Sequence, residues 1–167
     1  MREWAKVALL TEQIAALEAE RQAALRMAAD PAVERVRQRM RLRGIGRNSA
    51  GLYVMEFFGW RAFRNRREVG ALAGLTPTPY QSGEASREQG IAKAGNRYIR
   101  AMAIEIAGGW LRFQPASELS QWYETRFGQG SSRLRRIGIV ALARRLLVAL
   151  WRYLETGVVP AGAVLKA

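Results

Sequence analysis

Four helix breakers, Pro77, Pro79, Gly83 and Gly90, fall within fourteen residues near the middle of the sequence, while the chain on both sides carries the three-four apolar spacing of amphipathic helices. Proline has no N–H to give and glycine no side chain to restrain it, so a long helix cannot pass through this stretch. Turns or a short irregular hairpin are expected, held open between helices with the side chains displayed. The stretch from Gly74 to Arg100 is therefore the candidate functional loop. It holds one candidate nucleophile, Ser82, beside Gly83, whose bare backbone lets a substrate come close. Arg87, Lys93, Arg97 and Arg100 follow. A helix over Asn96 to Ile106 would put Arg97 and Arg100, three residues apart, on one face. A hydroxyl among cations suits a phosphodiester: serine needs activation to attack, and positive charge stabilises what develops on the phosphoryl oxygens. On its own, a serine before glycine is most often only a turn former.

Composition narrows the partner. The 167 residues carry 27 Lys and Arg against 14 Asp and Glu, a formal charge of +13. Length allows one domain, or one domain with an arm. The basic balance, with aromatic residues interleaved, points to nucleic acid ahead of an anionic membrane surface. With no cysteine and no histidine, zinc fingers, disulfides, Cys/His pairs and Ser-His-Asp triads are excluded. Asp30 is the sole aspartate, so a self-contained carboxylate cluster for Mg²⁺ is not expected and no metal site is assigned. Met1 to Asp30 lacks the apolar block of a secretory signal, and Ile137 to Leu150 is too short and too interrupted by Arg144 and Arg145 to span a bilayer. A cytoplasmic location with no membrane contact is expected.

Along the chain, Arg2 to Ala29 reads as a helix with Val7, Leu10, Ile14, Leu17, Ala24 and Ala28 near a heptad seam, interrupted by Arg21. It either folds back on its own domain or pairs with another molecule. Asp30-Pro31 stops it and caps a helix over Ala32 to Leu42, whose alternating arginines spread charge around the cylinder. Leu42-Arg43-Gly44-Ile45-Gly46 has the hydrophobic-Gly-hydrophobic-Gly pattern of a helix-hairpin-helix turn over 41–58, which either binds a phosphate at the next helix, sharpened by Arg47, or simply joins two helices. Leu52, Tyr53, Met55, Phe57, Phe58 and Trp60 read as core, with an aromatic platform for unpaired bases as the lesser reading. Asn65 should cap a helix over Arg66 to Ala73 whose basic first turn opposes the helix dipole, a cost that a nearby phosphate would relieve. Arg97 to Phe113 should be helical and weakened at Gly108-Gly109, and Ser117 should cap a helix carrying Leu119, Trp122, Tyr123 and Phe127 as core. A final helix from Arg133 to about Leu154 should close the core through Leu134, Ile137, Val140, Ala141, Leu147, Val148 and Trp151. Its arginines form a phosphate-facing or merely solvated face. Gly157 ends it, and 158–167 should be a loose tail. The fold class expected is all-α: a coiled-coil-like arm over 1–40, then a domain over 41–157 with the irregular loop packed on long C-terminal helices.

Leu42-Arg43-Gly44-Ile45-Gly46, Leu72-Ala73-Gly74-Leu75-Thr76-Pro77, Ser82-Gly83, Lys93-Ala94-Gly95-Asn96-Arg97, Arg100 and Ala143-Arg144-Arg145-Leu146-Leu147 occur in an order and spacing that resembles the C-terminal transposase domain of the insertion-sequence "one-ten" family, the bridge-RNA-guided recombinases. The resemblance runs from about Arg41 to Glu155. It implies that Ser82 is the catalytic serine that joins a DNA strand through a phosphoserine link. Together with the loop and hairpin readings above, it makes Gly44, Gly46, Arg47, Arg87, Lys93, Asn96, Arg97, Arg100, Arg144 and Arg145 the expected nucleic-acid contacts. In that family a RuvC-like half supplies acidic metal ligands; it is not seen in this sequence. Cofactors are therefore none in this chain, with Mg²⁺ expected only beside a RuvC-like half in trans, and activity of the chain alone is not expected. Partners implied are DNA, a guide RNA and a second copy through the N-terminal helix, at the nucleoid. A non-catalytic helix-hairpin-helix protein that binds nucleic acid is the alternative, and a basic helical oligomerisation module is a third reading.

Overall fold

The computed structural model describes residues 2–27, 30–82 and 85–166, with side chains undescribed at 79–82 and 85–89. Helix α1 (Arg2–Met27) leads to α2 (Pro31–Met40) and α3 (Arg47–Tyr53), which continues as a π-helical turn over Val54–Phe58. Helix α4 (Arg66–Leu72) precedes a hairpin of β1 (Pro77–Ser82) and β2 (Ala85–Ile91). Then come α5 (Arg97–Phe113), α6 (Glu118–Tyr123) with a second π-helical turn over Glu124–Gly128, and α7 (Ser132–Thr156). The protein is all-α apart from that one ribbon. No described helix is long and apolar enough to cross a membrane.

Local chemistry sets the helix ends. The Asp30 carboxylate accepts from Ala32 N with Pro31 in the first turn, the Asn65 side chain accepts from Arg67 N and Glu68 N, and the Asn96 side chain accepts from Tyr98 N and Ile99 N. Ser117 Oγ accepts from Ser120 N, and Gly157 closes α7 at φ 73°. Each of these supplies a partner for a backbone group that the helix leaves free.

The core lies between α5 and α7. Ile99, Ala103, Ile106, Ala107 and Trp110 face Leu142, Ala143, Leu146, Leu147 and Leu150, all buried, and Tyr53, Val54, Phe57 and Phe58 fill the side toward α2 and α3. Each large side chain here contributes roughly 1.5–3 kcal/mol of transfer free energy. Trp110 also donates to buried Ser117 Oγ at 2.8 Å, so its indole N–H is satisfied where it is dry.

Several expectations are corrected. The buried face of α7 runs through Leu142, Ala143, Leu146, Leu147, Leu150 and Tyr153, while Ile137 is 53% and Leu134 40% exposed. Helix α7 spreads its apolar residues around most of its circumference, interleaved with arginines, so periodicity does not fix its rotation. Met55 and Trp60 are exposed, because the π-helical turn shifts the residues after Tyr53 out of α-helical register; Phe57 and Phe58 take the buried positions. Helix α5 runs unbroken past Gly108-Gly109, since burial of Ile106, Ala107 and Trp110 outweighs a propensity cost of about 1 kcal/mol per glycine. The C-terminal tail is docked: Arg43 N donates to Val164 O, Lys166 N to Arg41 O, and buried Gln114 accepts from Val164 N and donates to both Arg43 O and Val164 O. Arg39, one of the alternating arginines of α2, is fully buried, with its guanidinium 4.1 Å over the Phe58 ring and 5.0 Å over Tyr53.

The seam of α1 is open. Val7, Leu10, Ile14 and Leu17 are all more than half exposed, and the helix meets the domain only toward its C-terminal end, where Arg37 Nε donates to Leu25 O and Arg21 donates to Asn48 Oδ1. Ala28 and Ala29, expected in the same helix, lie outside the described residues.

Candidate nucleic-acid interface

The central stretch is a β-hairpin, with Tyr80 opposite Arg87 and Ser82 opposite Ala85. Two prolines in β1 are tolerated because the ribbon has no third strand to demand their N–H groups, and the register shifts between Pro77 and Pro79. A two-stranded ribbon has little stability of its own. Its base supplies the anchor: Ala92 N donates to Thr76 O, Lys93 N to Gly74 O, and Asn96 N to Leu72 O.

That anchor explains two motifs. The segments Leu72-Ala73-Gly74 and Lys93-Ala94-Gly95 cross so closely that a Cβ on Gly95 would stand 2.2 Å from the Leu72 carbonyl oxygen, and one on Gly74 would stand 2.5 Å from that of Ala94. Both glycines also have positive φ, 66° and 120° for Gly74 and Gly95. Arg100 reaches across and donates to Lys93 O at 2.9 Å and Ala73 O at 3.4 Å. Lys93 itself has φ 55°, a left-handed conformation that a lysine holds only because its backbone N–H and carbonyl are both tied down. The conformation aims its exposed side chain into a groove beside the hairpin base.

The groove encloses about 1520 Å³ between the hairpin base, the start of α4, helix α6, the length of α7 and the segment that follows it. Arg66, Arg67, Lys93, Arg144, Arg145 and Arg152 line it, with Glu118 the one acidic residue among the described ones. Its apolar lining includes Leu119, Trp122, Ile137, Val140 and Val148. None of the six cations has a salt bridge among the described residues. Arg144 fits because Gly70 of α4 leaves room: a Cβ there would lie 3.1 Å from Arg144 Nε. Arg145 lies with its guanidinium 4.1 Å over the Trp122 ring. Trp122 in turn meets Phe127 edge-on at 5.5 Å.

The expected site residues therefore divide. Lys93, Arg144 and Arg145 come together in the groove. Arg100 is committed to the hairpin anchor, Asn96 caps α5, and Arg97 is exposed and stacked 4.8 Å from the Tyr98 ring. Gly44, Gly46 and Arg47 border a second, smaller cavity of about 780 Å³ under α1, where Arg47 donates to Gln22. A Cβ on Gly44, which has φ 88°, would stand 3.1 Å from Phe113 Cβ. Ser82 and Arg87 lie in the hairpin backbone, but their side chains, and Gly83, lie outside the described residues. Arg66, Arg67 and Arg152 complete the groove. Two signals pointed to them: the basic first turn of α4, and the seven-residue spacing of Arg145 and Arg152, which places both on one side of a helix.

Residues 36–124 match the family described as Transposase IS116/IS110/IS902. The chain belongs to this transposase family. The match covers the α2–α3 turn, both glycines of the hairpin anchor, Ser82 and the first three groove cations. The Sinorhizobium fredii protein y4rJ, which carries a transposase name, is 45% identical over 99% of this chain and 43% of its own length. The transposase for insertion sequence element IS1328 of Yersinia enterocolitica is 28% identical over 90% of this chain and 43% of its own length. This transposase chain thus spans less than half the length of the curated relatives it matches.

Proposed function

We propose that this transposase chain is the DNA-handling, serine-bearing part of a recombinase, with the groove holding phosphates of the strand on which Ser82 acts. The observation that carries the reading is the convergence of six cations, without ion pairs among the described residues, in the groove that borders the base of the hairpin in which Ser82 stands. Positive charge fixed beside a phosphodiester lowers the cost of the charge that builds on its oxygens. In the proposed step the Ser82 hydroxyl attacks phosphorus, its proton leaves to a base, and the bond to the departing sugar oxygen breaks as that oxygen takes a proton. Attack by a hydroxyl of the partner strand then releases the serine. The chain has no histidine to serve as base, and among the described residues no three potential ligands gather to hold a metal ion. Following the family resemblance, metal-assisted proton removal is assigned to a RuvC-like half acting beside this one, and no step here runs through a metal held by these residues.

The α2–α3 connection is read as a helix-hairpin-helix element with a structural role. Arg47 and Asn48 are engaged by Gln22 and Arg21 of α1, which favours joining the arm to the domain over phosphate binding. A guide RNA and a second copy of the chain remain part of the proposal through family resemblance, the latter supported by the open seam of α1.

The test is covalent trapping on nicked DNA, with a RuvC-like half supplied in trans. The reading expects a protein–DNA adduct that survives denaturation and vanishes in Ser82→Ala. An adduct that persists in Ser82→Ala rejects the serine assignment. Salt-sensitive DNA binding with no adduct under any condition leaves the non-catalytic binding alternative.

A further inference from the structure

The groove is amphipathic, and that combination restricts what fits it. A cationic rim alone would suit any DNA, yet here the cations border aliphatic and aromatic side chains that remain open: Ile137 is 53% and Val158 67% exposed, and Val140, Val148 and Trp122 are only partly covered. Apolar surface left facing water at a charged interface is unfavourable. A duplex would bring phosphates to the rim but keep its bases stacked inside, so the floor would stay wet. An unpaired strand brings both halves of the match, phosphates for the rim and base faces for the floor.

The Arg145–Trp122 pair adds a stacking plane. With the guanidinium 4.1 Å over the indole, one face of the arginine is backed by the ring and held flat, while the residue is exposed. Guanidinium planes and aromatic rings are the surfaces on which unpaired bases stack. The floor also bears on the sugar. Aliphatic side chains offer no partner for a 2′-hydroxyl, so the groove gives RNA no advantage over DNA. Charge complementarity, the open apolar floor and the backed guanidinium agree on one occupant.

We propose that the groove between the hairpin base and α7 receives an unpaired DNA strand, phosphates on Arg66, Arg67, Lys93, Arg144 and Arg152 and a base on the Arg145–Trp122 stack. This rests on the DNA-handling reading above and specifies the form of DNA held.

The experiment measures fluorescence anisotropy of labelled oligonucleotides with the full chain at fixed salt: oligo-dU of about twelve nucleotides, oligo-rU of the same length, and a mixed-sequence duplex of that length. The proposal predicts that dU binds at least about tenfold more tightly than the duplex, and no more weakly than rU. Arg145→Lys keeps the charge and loses the plane. It should remove most of the preference for dU over duplex while leaving the salt dependence of dU binding unchanged, and a thermal melt like that of the wild type confirms that the variant folds. Ile137→Ser, on the open floor, should likewise weaken dU binding and spare the duplex. Duplex binding equal to or tighter than dU overturns the unpaired-strand assignment and leaves the DNA-handling reading standing. Tighter binding of rU overturns the choice of DNA. Binding of none of the three overturns both readings, and favours a protein segment as the occupant.

Discussion

At the scale of single residues, two positions hold strain of opposite kinds. Gly95 has no room for a side chain and sits at φ 120°, so Gly95→Ala forces a backbone shift at the hairpin anchor. The expected loss of stability is about 2 kcal/mol or more, read as a lower urea midpoint, whereas Gly90→Ala, at φ 80° with open space around it, should lose less. Arg39 is strained by solvation: its three guanidinium nitrogens have no hydrogen-bond partner among the described residues, and it is held only by the faces of Tyr53 and Phe58. Burial pushes its pKa down from the ordinary arginine range to about 9, opposed in part by Tyr53. The folded state thus favours the neutral form more than the unfolded chain does, so Arg39 lowers stability below about pH 9 and lowers it progressively less as pH climbs from there toward the ordinary arginine range. Arg39→Met, similar in length and uncharged, should raise stability at pH 7 by roughly 1–3 kcal/mol, and that advantage should narrow above about pH 9 in urea titrations across pH. A destabilised Arg39→Met would mean that the two ring faces more than offset the lost hydration.

At the scale of elements, the parts legible in the sequence were those set by neighbours along the chain. Asp30, Asn65 and Ser117 each cap the start of a helix where their chemistry says one should begin, Asn96 stands where the next helix was expected to start, and Gly157 ends the last. The four breakers gave a hairpin, one of the forms expected of them. What sequence reasoning missed depends on contacts distant in the chain. The face that α5 buries, Ile99, Ala103, Ile106, Ala107 and Trp110, follows its own periodicity, but the rotation of α7 is fixed by α5 packing against it, since apolar residues spread around most of α7. The order of the tail comes from Gln114, whose amide is buried between residues 43 and 164. Gln114→Ala should leave those backbone groups without partners, at a cost of about 1–3 kcal/mol, and speed hydrogen exchange at the Val164 amide well before the core exchanges. Unchanged exchange at Val164 would show that the bridge between Leu42 and Leu165 holds the tail without it. For the candidate site, Lys93, Arg144 and Arg145 were legible as cations in motifs, but the pairing of Arg145 with Trp122 was not, because their helices meet only in the folded domain.

At the scale of the whole molecule, the formal charge of +13 is barely neutralised internally: the ion pairs among the described residues are Lys6–Glu3, Arg21–Glu18 and Arg37–Glu34, all local to α1 and α2. The domain that carries the hairpin therefore keeps its cations for something else, and the groove is where six of them meet. The central claim is that this groove, and not the general basicity of the surface, is where the chain engages DNA phosphates. The direct measurement is the salt dependence of DNA binding for two variants of equal charge, one with Arg66, Arg67 and Arg152 changed to alanine in the groove, the other with Arg133, Arg135 and Arg136 changed at the exposed start of α7 outside it. The account predicts that the groove variant lowers the slope of log affinity against log salt by about 2 to 3 while the control changes it little. Equal losses from both variants would contradict it.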